Sequence, residues 1–431
     1  MKKNLLSLIA LAAVSFTACK KNPVSVDTAV NYPGMAEAAD PAVLFTTDAG
    51  VKVYNGGFGS AMAADPNDPN VFYLMTDRGP NVAGKESNTI ILGKADFTPA
   101  IGKFRLKDGK LVLEQTIEFK NADGAKLNGL PNPTGQGATG EIPVSLTGAK
   151  LPTSADGIDS EGLVRAADGT FWVSDEYGPH IVHFDATGKT IERINPFGSG
   201  TGGRKIPLVF AKRRANRGME GLAITPDGKT LVGLMQSPMY NPSKAAVNGS
   251  VVLRILTFNI ATGATRQYAY LMDDASLTGC SEITAVNATT FLTIERDGQY
   301  GGDSSNPSKF KKVFKIDISN ATDISDPDNG ANGKLYGGKT VEELATVAGL
   351  QGAGIIPVTK TLVLDLLKDL PAVYPHDKAE GLTLLPGNIL AISNDDDFGV
   401  VDNGSNTFAQ KILPLTGKVD HNSIYFVKIK L

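Results

Sequence analysis

Ser160-Glu161-Gly162-Leu163, leading through Ala167-Asp168-Gly169-Thr170 into Phe171-Trp172-Val173-Ser174-Asp175-Glu176, decides the fold because the chain repeats its pattern. Met219-Glu220-Gly221-Leu222 passes through Pro226-Asp227-Gly228-Lys229 into Leu231-Val232-Gly233-Leu234-Met235-Gln236. Ser281-Glu282-Ile283-Thr284 passes through Asn287-Ala288 into Phe291-Leu292-Thr293-Ile294-Glu295-Arg296-Asp297. Ala379-Glu380-Gly381-Leu382 passes through Pro386-Gly387-Asn388 into Ile389-Leu390-Ala391-Ile392-Ser393-Asn394-Asp395. A fifth copy without the Glu runs from Gly59-Ser60-Ala61-Met62 through Asp65-Pro66-Asn67-Asp68 to Val71-Phe72-Tyr73-Leu74-Met75-Thr76-Asp77-Arg78.

Each copy reads as a hairpin. A Glu opens a short apolar strand, a Gly, Asp or Pro turn reverses it, and a second apolar strand ends in polar residues. Opening Glu and closing acid therefore fall at the same end, on neighbouring strands. Further pairs follow, such as Ile181–Phe184 with Thr190–Arg193, and Val251–Phe258 with Arg266–Tyr270. Four-stranded units repeated about an axis make a β-propeller, an all-β fold whose inner strands converge on one channel. The long intervals before Glu161 and Glu380 leave room for extra units, so six or seven blades are expected. A β-sandwich with a second domain is the alternative. Val341–Leu370 is the one helical region expected, a small insertion with Val363–Lys368 as a surface helix.

Composition agrees with a turn-rich globular chain. Of 431 residues, 47 are Gly and 24 Pro, which disfavours long helices. With 42 Lys plus Arg against 45 Asp plus Glu, no basic excess exists to bind nucleic acid. Lys2 and Lys3 precede the apolar run Leu5–Val14, too short to span a bilayer, and Phe16-Thr17-Ala18-Cys19 closes the segment. Residues 1–18 are similar to a bacterial lipoprotein signal, with Cys19 the lipidated residue; an ordinary secretory signal is the alternative. Either implies export, to the periplasm or outer membrane, with a membrane link through the N-terminal lipid only. Residues 19–40 read as a tether, and 41–431 as the folded domain.

Four ordered runs carry a family resemblance: Asp175-Glu176-Tyr177-Gly178-Pro179, Asn216-Arg217-Gly218-Met219-Glu220-Gly221-Leu222-Ala223, Glu295-Arg296-Asp297 and Lys378-Ala379-Glu380-Gly381-Leu382. Across residues 45–425 the sequence resembles the phytase-like family, "esterase-like activity of phytase". The resemblance implies a secreted or periplasmic β-propeller that hydrolyses esters or phosphoesters.

The residues suggest a chemistry of their own. If the repeat brings equivalent positions to one rim, Glu161, Glu220, Glu282 and Glu380 meet near the axis. Asp77, Asp175, Glu176, Glu295, Asp297, Asp395 and Asp396 would surround them. Such a ring raises its own pKa values unless a cation neutralises it, and hard oxygen donors suit Ca²⁺. Glu161, Glu220, Glu282, Glu380, Asp175 and Asp395 are the candidate ligands. The alternative is that each Glu ties down its own blade by accepting backbone N–H groups.

Arg78, Arg214, Arg217 and Arg296 lie beside these acids in sequence and are candidates to hold a small anionic ester, since a guanidinium grips phosphate in a two-pronged fork; pairing with the acids is the alternative. Glu220, Glu176 and His180 are the candidate acid–base groups, with a structural role the alternative for His180. His183 reads as cross-strand surface. Asn394-Asp395-Asp396-Asp397 resembles a calcium-loop fragment without an EF-hand frame, capping being the alternative. There is no Gly-x-Ser-x-Gly elbow, His-Glu-x-x-His helix or P-loop. A non-catalytic propeller that binds a ligand or partner at the envelope remains the second functional reading.

Overall fold

The computed structural model describes residues 30–39 and 41–431; the signal segment and Cys19 lie outside the described residues. Twenty strands form five four-stranded antiparallel units. Blade 1 comprises Ala61–Ala64, Val71–Met75, Ala100–Lys107 and Lys110–Glu118. Blade 2 comprises Ser160–Arg165, Phe171–Asp175, His180–Phe184 and Thr190–Ile194. Blade 3 comprises Met219–Ile224, Thr230–Met235, Val252–Asn259 and Thr265–Leu271. Blade 4 comprises Gly279–Ala285, Thr290–Arg296, Lys311–Asp317 and Thr359–Asp365. Blade 5 comprises Leu382–Leu385, Ile389–Ser393, Ser423–Lys428 and, from the other end of the chain, Met35–Ala38.

The first strands of successive blades neighbour one another, and blade 5 returns to blade 1, so the ring closes at five. Five apolar clusters fill the five gaps between blades. Phe171 and Phe184 pack with Tyr73 and Phe119 between blades 1 and 2, and Trp172 and Ile194 with Leu231 and Phe258 between blades 2 and 3. Tyr270 and Leu253 meet Phe291 and Phe314 between blades 3 and 4. Leu292 and Val313 meet Leu390 and Ile392 between blades 4 and 5, and Ile424 and Ala36 meet Phe72 and Phe104 between blades 5 and 1. Because each sheet is covered on both faces, a second strand such as Val71–Met75 is continuously apolar rather than alternating.

The β-propeller is therefore as expected, but it has five blades and not six or seven. The long intervals hold insertions instead of blades. Asn81–Ala83, Thr89–Leu92 and Ile142–Ser145 make a small sheet inserted in and after blade 1. It shares a core of Val53, Val82, Phe398, Val400 and Phe408 with the two-stranded pairs Val43–Thr46/Lys52–Tyr54 and Val400–Asp402/Phe408–Gln410. Residues 318–358 interrupt blade 4 and contain the expected helical insertion, a 3-10 turn at Glu342–Leu344 and a helix at Val347–Gly352. A buried ion pair pins this insertion to blade 3, with Arg254 Nε 2.5 Å from Glu342 Oε1.

Two further expectations change. Val363–Lys368 is no helix: Thr359–Asp365 is the outer strand of blade 4, its Thr and Val residues suiting an extended edge. Within residues 19–40, Met35–Ala38 is not tether but the outermost strand of blade 5, antiparallel to Ser423–Lys428 and parallel to the edge of blade 1. Among the described residues no helix is long and apolar enough to cross a membrane.

The ring is closed by that strand, with Ala36 buried and Tyr32 stacked on Phe426 at 4.8 Å. A chain beginning at Pro41 is expected to melt several degrees below one beginning at Asn31 in a calorimetric scan. Equal midpoints would show that blade 5 is complete without it.

Candidate active site

The inner strands begin, and the second strands end, at one rim. In blade 2 the ladder pairs Ser160 with Asp175 and then Gly162 with Ser174, which leaves Glu161 as an extra, bulged residue. Blade 3 does the same between Met219 and Gly221, bulging Glu220. A bulge re-aims its side chain, here toward the axis. The following glycine is required by crowding: a Cβ on Gly162 would lie 2.6 Å from Leu222 N, and one on Gly221 2.7 Å from Ile283 N.

Blade 4 departs from this pattern. Its register shift falls between Cys280 and Glu282, so Ser281 takes the bulge and Glu282 stands where the other blades have glycine. Glu282 Oε1 accepts the N–H groups of Leu222 at 3.0 Å and Ile283 at 2.9 Å, so it ties blade 3 to blade 4. The blade-tying alternative holds for this Glu.

Two sectors of the rim differ in charge balance. Around blade 5 most acids have cationic partners, Asp396 being the exception, pushed to about 7 by burial and Asp420. Glu380 pairs with Arg296, whose Nε also donates to Ser281 Oγ at 2.7 Å. Lys378 Nζ lies 2.6 Å from both Asp395 and Asp397, and Lys411 Nζ lies 2.8 Å from Asp377 and 2.7 Å from Asp397. Asp397 is held below the usual range by the two lysines despite its burial. Asp395 Oδ1 accepts from Asp397 N and Asp396 Oδ1 from Phe398 N, so Asn394–Asp397 is a capping loop.

Among the described residues the sector between blades 2 and 3 has one cationic contact, Arg78 Nε 3.6 Å from Asp159 Oδ2. Asp159, Glu161 and Glu176 offer oxygens that all lie within 4.8 Å of one another. They are 2%, 9% and 5% exposed. Burial, reinforced by Glu220, pushes Glu161 and Glu176 well above the usual carboxyl range. Burial and Glu380 push Glu220 to about 8; burial, only partly offset by Arg78, leaves Asp159 at about 6. Glu220 Oε1 accepts from Gln236 Nε2 at 2.6 Å, while its Oε2 is buried with no partner.

Arginines stand beside this acidic sector. Arg217 donates to the carbonyl of Thr278, and its pKa is lowered by burial and by Arg214; Glu176 and Glu220 act on it in the opposite direction. Arg214 lies 5.8 Å above the Tyr240 ring. Among the described residues neither forms an ion pair with a carboxylate, although Arg204 and Arg193 do. Arg78 Nε lies 3.6 Å from Asp159 Oδ2, while its Nη1 reaches Glu141 Oε2 at 2.9 Å and Asn216 Oδ1 at 3.0 Å.

Several expected site residues thus have other work. Asp175 is engaged by His180 and Arg193, Asp395 by Lys378, Glu380 by Arg296, and Glu282 by backbone; none joins the cluster of three. Arg296 and Arg78 are both ion-paired, to Glu380 and to Glu141 and Asp159. His180 is closed off, with Nδ1 between Asp175 Oδ2 at 2.5 Å and the donors Arg193 Nη2 at 2.6 Å and Nε at 3.0 Å, and Nε2 3.1 Å from the carbonyl of Gln136. Burial and Arg193 push it down to about 4, so the ring is neutral at pH 7. His183 lies cross-strand from Trp172, half-buried and stacked on its ring at 3.9 Å. Glu295 is held by Tyr270 and Lys360, and Asp297 by Lys311. Asp159, which the repeat did not mark, joins Glu161 and Glu176, and its only signal was an acid two residues before Glu161.

Comparison with known proteins places this rim in a family. The model of the Phytase-like family, described as esterase-like activity of phytase, matches residues 54–398. The chain belongs to that family. An "uncharacterized secreted protein" of Arthroderma benhamiae is 27% identical over 364 residues, 70% of each chain. Among solved structures, a virginiamycin B lyase variant from Staphylococcus aureus is 14% identical, covering 87% of this chain and 93% of that one at a TM-score of 0.33. A PQQ-bound aldose sugar dehydrogenase from Streptomyces coelicolor is 10% identical, covering 92% and 83% at 0.31. Of the four runs that carried the phytase-like resemblance, two supply cluster or neighbouring residues, the first Glu176 and the second Arg217 and Glu220.

A carboxyl whose folded pKa is raised leaves the fold indifferent to pH below the unfolded value, then weakens it as pH climbs to the folded value. For Glu220 that window runs from about 4.5 to about 8. Glu220→Gln mimics the protonated side chain. In cation-free buffer it is expected to raise the melting midpoint by a few degrees at pH 8 and to leave it unchanged at pH 4. A midpoint difference independent of pH would refute the assignment of a buried, elevated carboxyl there.

Proposed function

We propose that this phytase-like protein is an exported hydrolase of phosphoric or other esters, assisted by a divalent cation at the rim between blades 2 and 3. One observation carries the reading: three carboxylates meet within 4.8 Å without a neutralising ion pair apart from the contact of Arg78 with Asp159, beside arginines that lack acid partners. Oxygens coordinating Ca²⁺ lie about 2.4 Å from it, so two on opposite sides stand roughly 4.8 Å apart. The all-oxygen, anionic donor set fits such an ion, and Asp159, Glu161 and Glu176 would hold it. Bound there, the cation would polarise the ester and acidify a water.

The chain's own groups supply the rest. Arg217 and Arg214 keep donors free to orient an anionic group next to the acids. Glu220, raised to about 8 by burial and Glu380 when no cation is bound, is the group that would hand a proton to a departing alkoxide. The family description supports ester chemistry, and the secreted relative supports export. Lipidation at Cys19 belongs to the same proposal, as does a small anionic ester in place of nucleic acid as the partner.

A second reading is a propeller that holds its cation for structure or for ligand binding. The depth of the three carboxylates, all under a tenth exposed, favours it because an attacking water needs room.

Phosphate release from phytate and simple phosphomonoesters, with Ca²⁺ and with chelator, separates the two. The hydrolase reading expects calcium-dependent release that drops at least a hundredfold in Glu220→Gln. No release from folded protein under either condition, with carboxylic esters also inert, would leave the binding propeller.

A further inference from the structure

The cation site is built on backbone that one carboxylate grips. Asp175 Oδ1 accepts the N–H of Asp159 and the N–H of Tyr177, each at 3.0 Å. Glu176, between Asp175 and Tyr177 in sequence, donates its own N–H to the carbonyl of Asp159 at 2.9 Å. A single oxygen therefore fixes the spacing between the backbone of Asp159 and that of Glu176.

The other oxygen of the same carboxylate is held from the third and fourth strands of blade 2. Asp175 Oδ2 faces His180 Nδ1 at 2.5 Å and Arg193 Nη2 at 3.0 Å. Arg193 reaches further along the segment that delivers Asp159, donating to the carbonyls of Ala155 at 3.0 Å and Gly157 at 2.7 Å. Asn132 holds the same segment from the other side, through Ser154 O at 3.0 Å and Gly157 O at 2.8 Å. Gly157 has no slack, since an added Cβ would lie 1.9 Å from Leu130 O. The guanidinium's planar fork binds one carboxylate and two carbonyls at once, which a lysine ammonium on a flexible stem cannot reproduce.

We infer that Arg193 is the positioning residue of the cation site: acting through Asp175, it sets the separation of Asp159 and Glu176 without touching the ion. The inference rests on the reading of Asp159, Glu161 and Glu176 as cation ligands. Groups that orient ligands from behind typically change metal affinity 10–100-fold when altered.

The test is calorimetric titration of the purified protein with CaCl₂, alongside its calcium-free melting midpoint. Arg193→Lys keeps the charge beside Asp175 and loses the fork. Arg254→Lys, at the buried pair with Glu342 away from the rim, is the control for general loosening. Arg193→Lys is expected to weaken calcium binding at least about tenfold, while Arg254→Lys lowers the midpoint and leaves affinity as in the parent. Asp175→Asn, which keeps an acceptor at Oδ1 but turns an amide toward Arg193, should also lose affinity and serves if Arg193→Lys does not fold. Parent-like affinity in Arg193→Lys and Asp175→Asn, or an equal loss in Arg254→Lys, overturns the positioning role and leaves the cation site standing. An unaltered protein that binds no calcium at millimolar concentration overturns the cation site itself, and this inference with it.

Discussion

Closure of a five-blade ring forces the starts of its inner strands together, and the chain puts carboxylates there. In blades 2 and 3 the bulges at Glu161 and Glu220 turn those side chains toward the axis, and the glycines after them let the strands come close enough to bury what the bulges present. Buried like charges are costly unless paired, protonated or bound to a cation. Much of the rim can be understood as a response to that constraint.

The response differs by sector. Near blade 5 the chain supplies its own cations, Arg296, Lys378 and Lys411, although burial still raises Asp395 and Asp396. Between blades 2 and 3 it supplies far fewer, and Asp159, Glu161, Glu176 and Glu220 all sit above the ordinary carboxyl range. Arginines that could have neutralised them are instead held by neutral partners, Arg217 by a carbonyl and Arg214 by the Tyr240 face. Separated surplus charge of both signs at one rim is an arrangement that a bound cation and a bound anion would complete.

The repeat made the hairpins, the convergence of their ends and the acidic rim legible, because each of these follows from period-two strands and turn residues within a short stretch. Blade number was not legible, since an insertion such as 318–358 is as long as a blade and apolar enough to resemble one. Nor was the slip at Glu282: its sequence aligns with Glu220, but the one-residue shift of the bulge to Ser281 is a property of strand pairing. Asp175 looked like a ligand because nothing nearby in sequence announces Arg193, eighteen residues on, as its partner. Met35–Ala38 was hidden for a related reason, as four residues without a partner in sequence become a strand only beside the other end of the chain.

The central claim is that the carboxylates of Asp159, Glu161 and Glu176 share a cation. Anomalous diffraction from crystals grown with Ca²⁺, compared with crystals grown in chelator, tests it most directly. The account predicts one anomalous peak within about 2.3–2.6 Å of oxygens from all three residues, absent with chelator. Three carboxyls hydrogen-bonded to one another through retained protons, with no peak among them at saturating Ca²⁺, would contradict it.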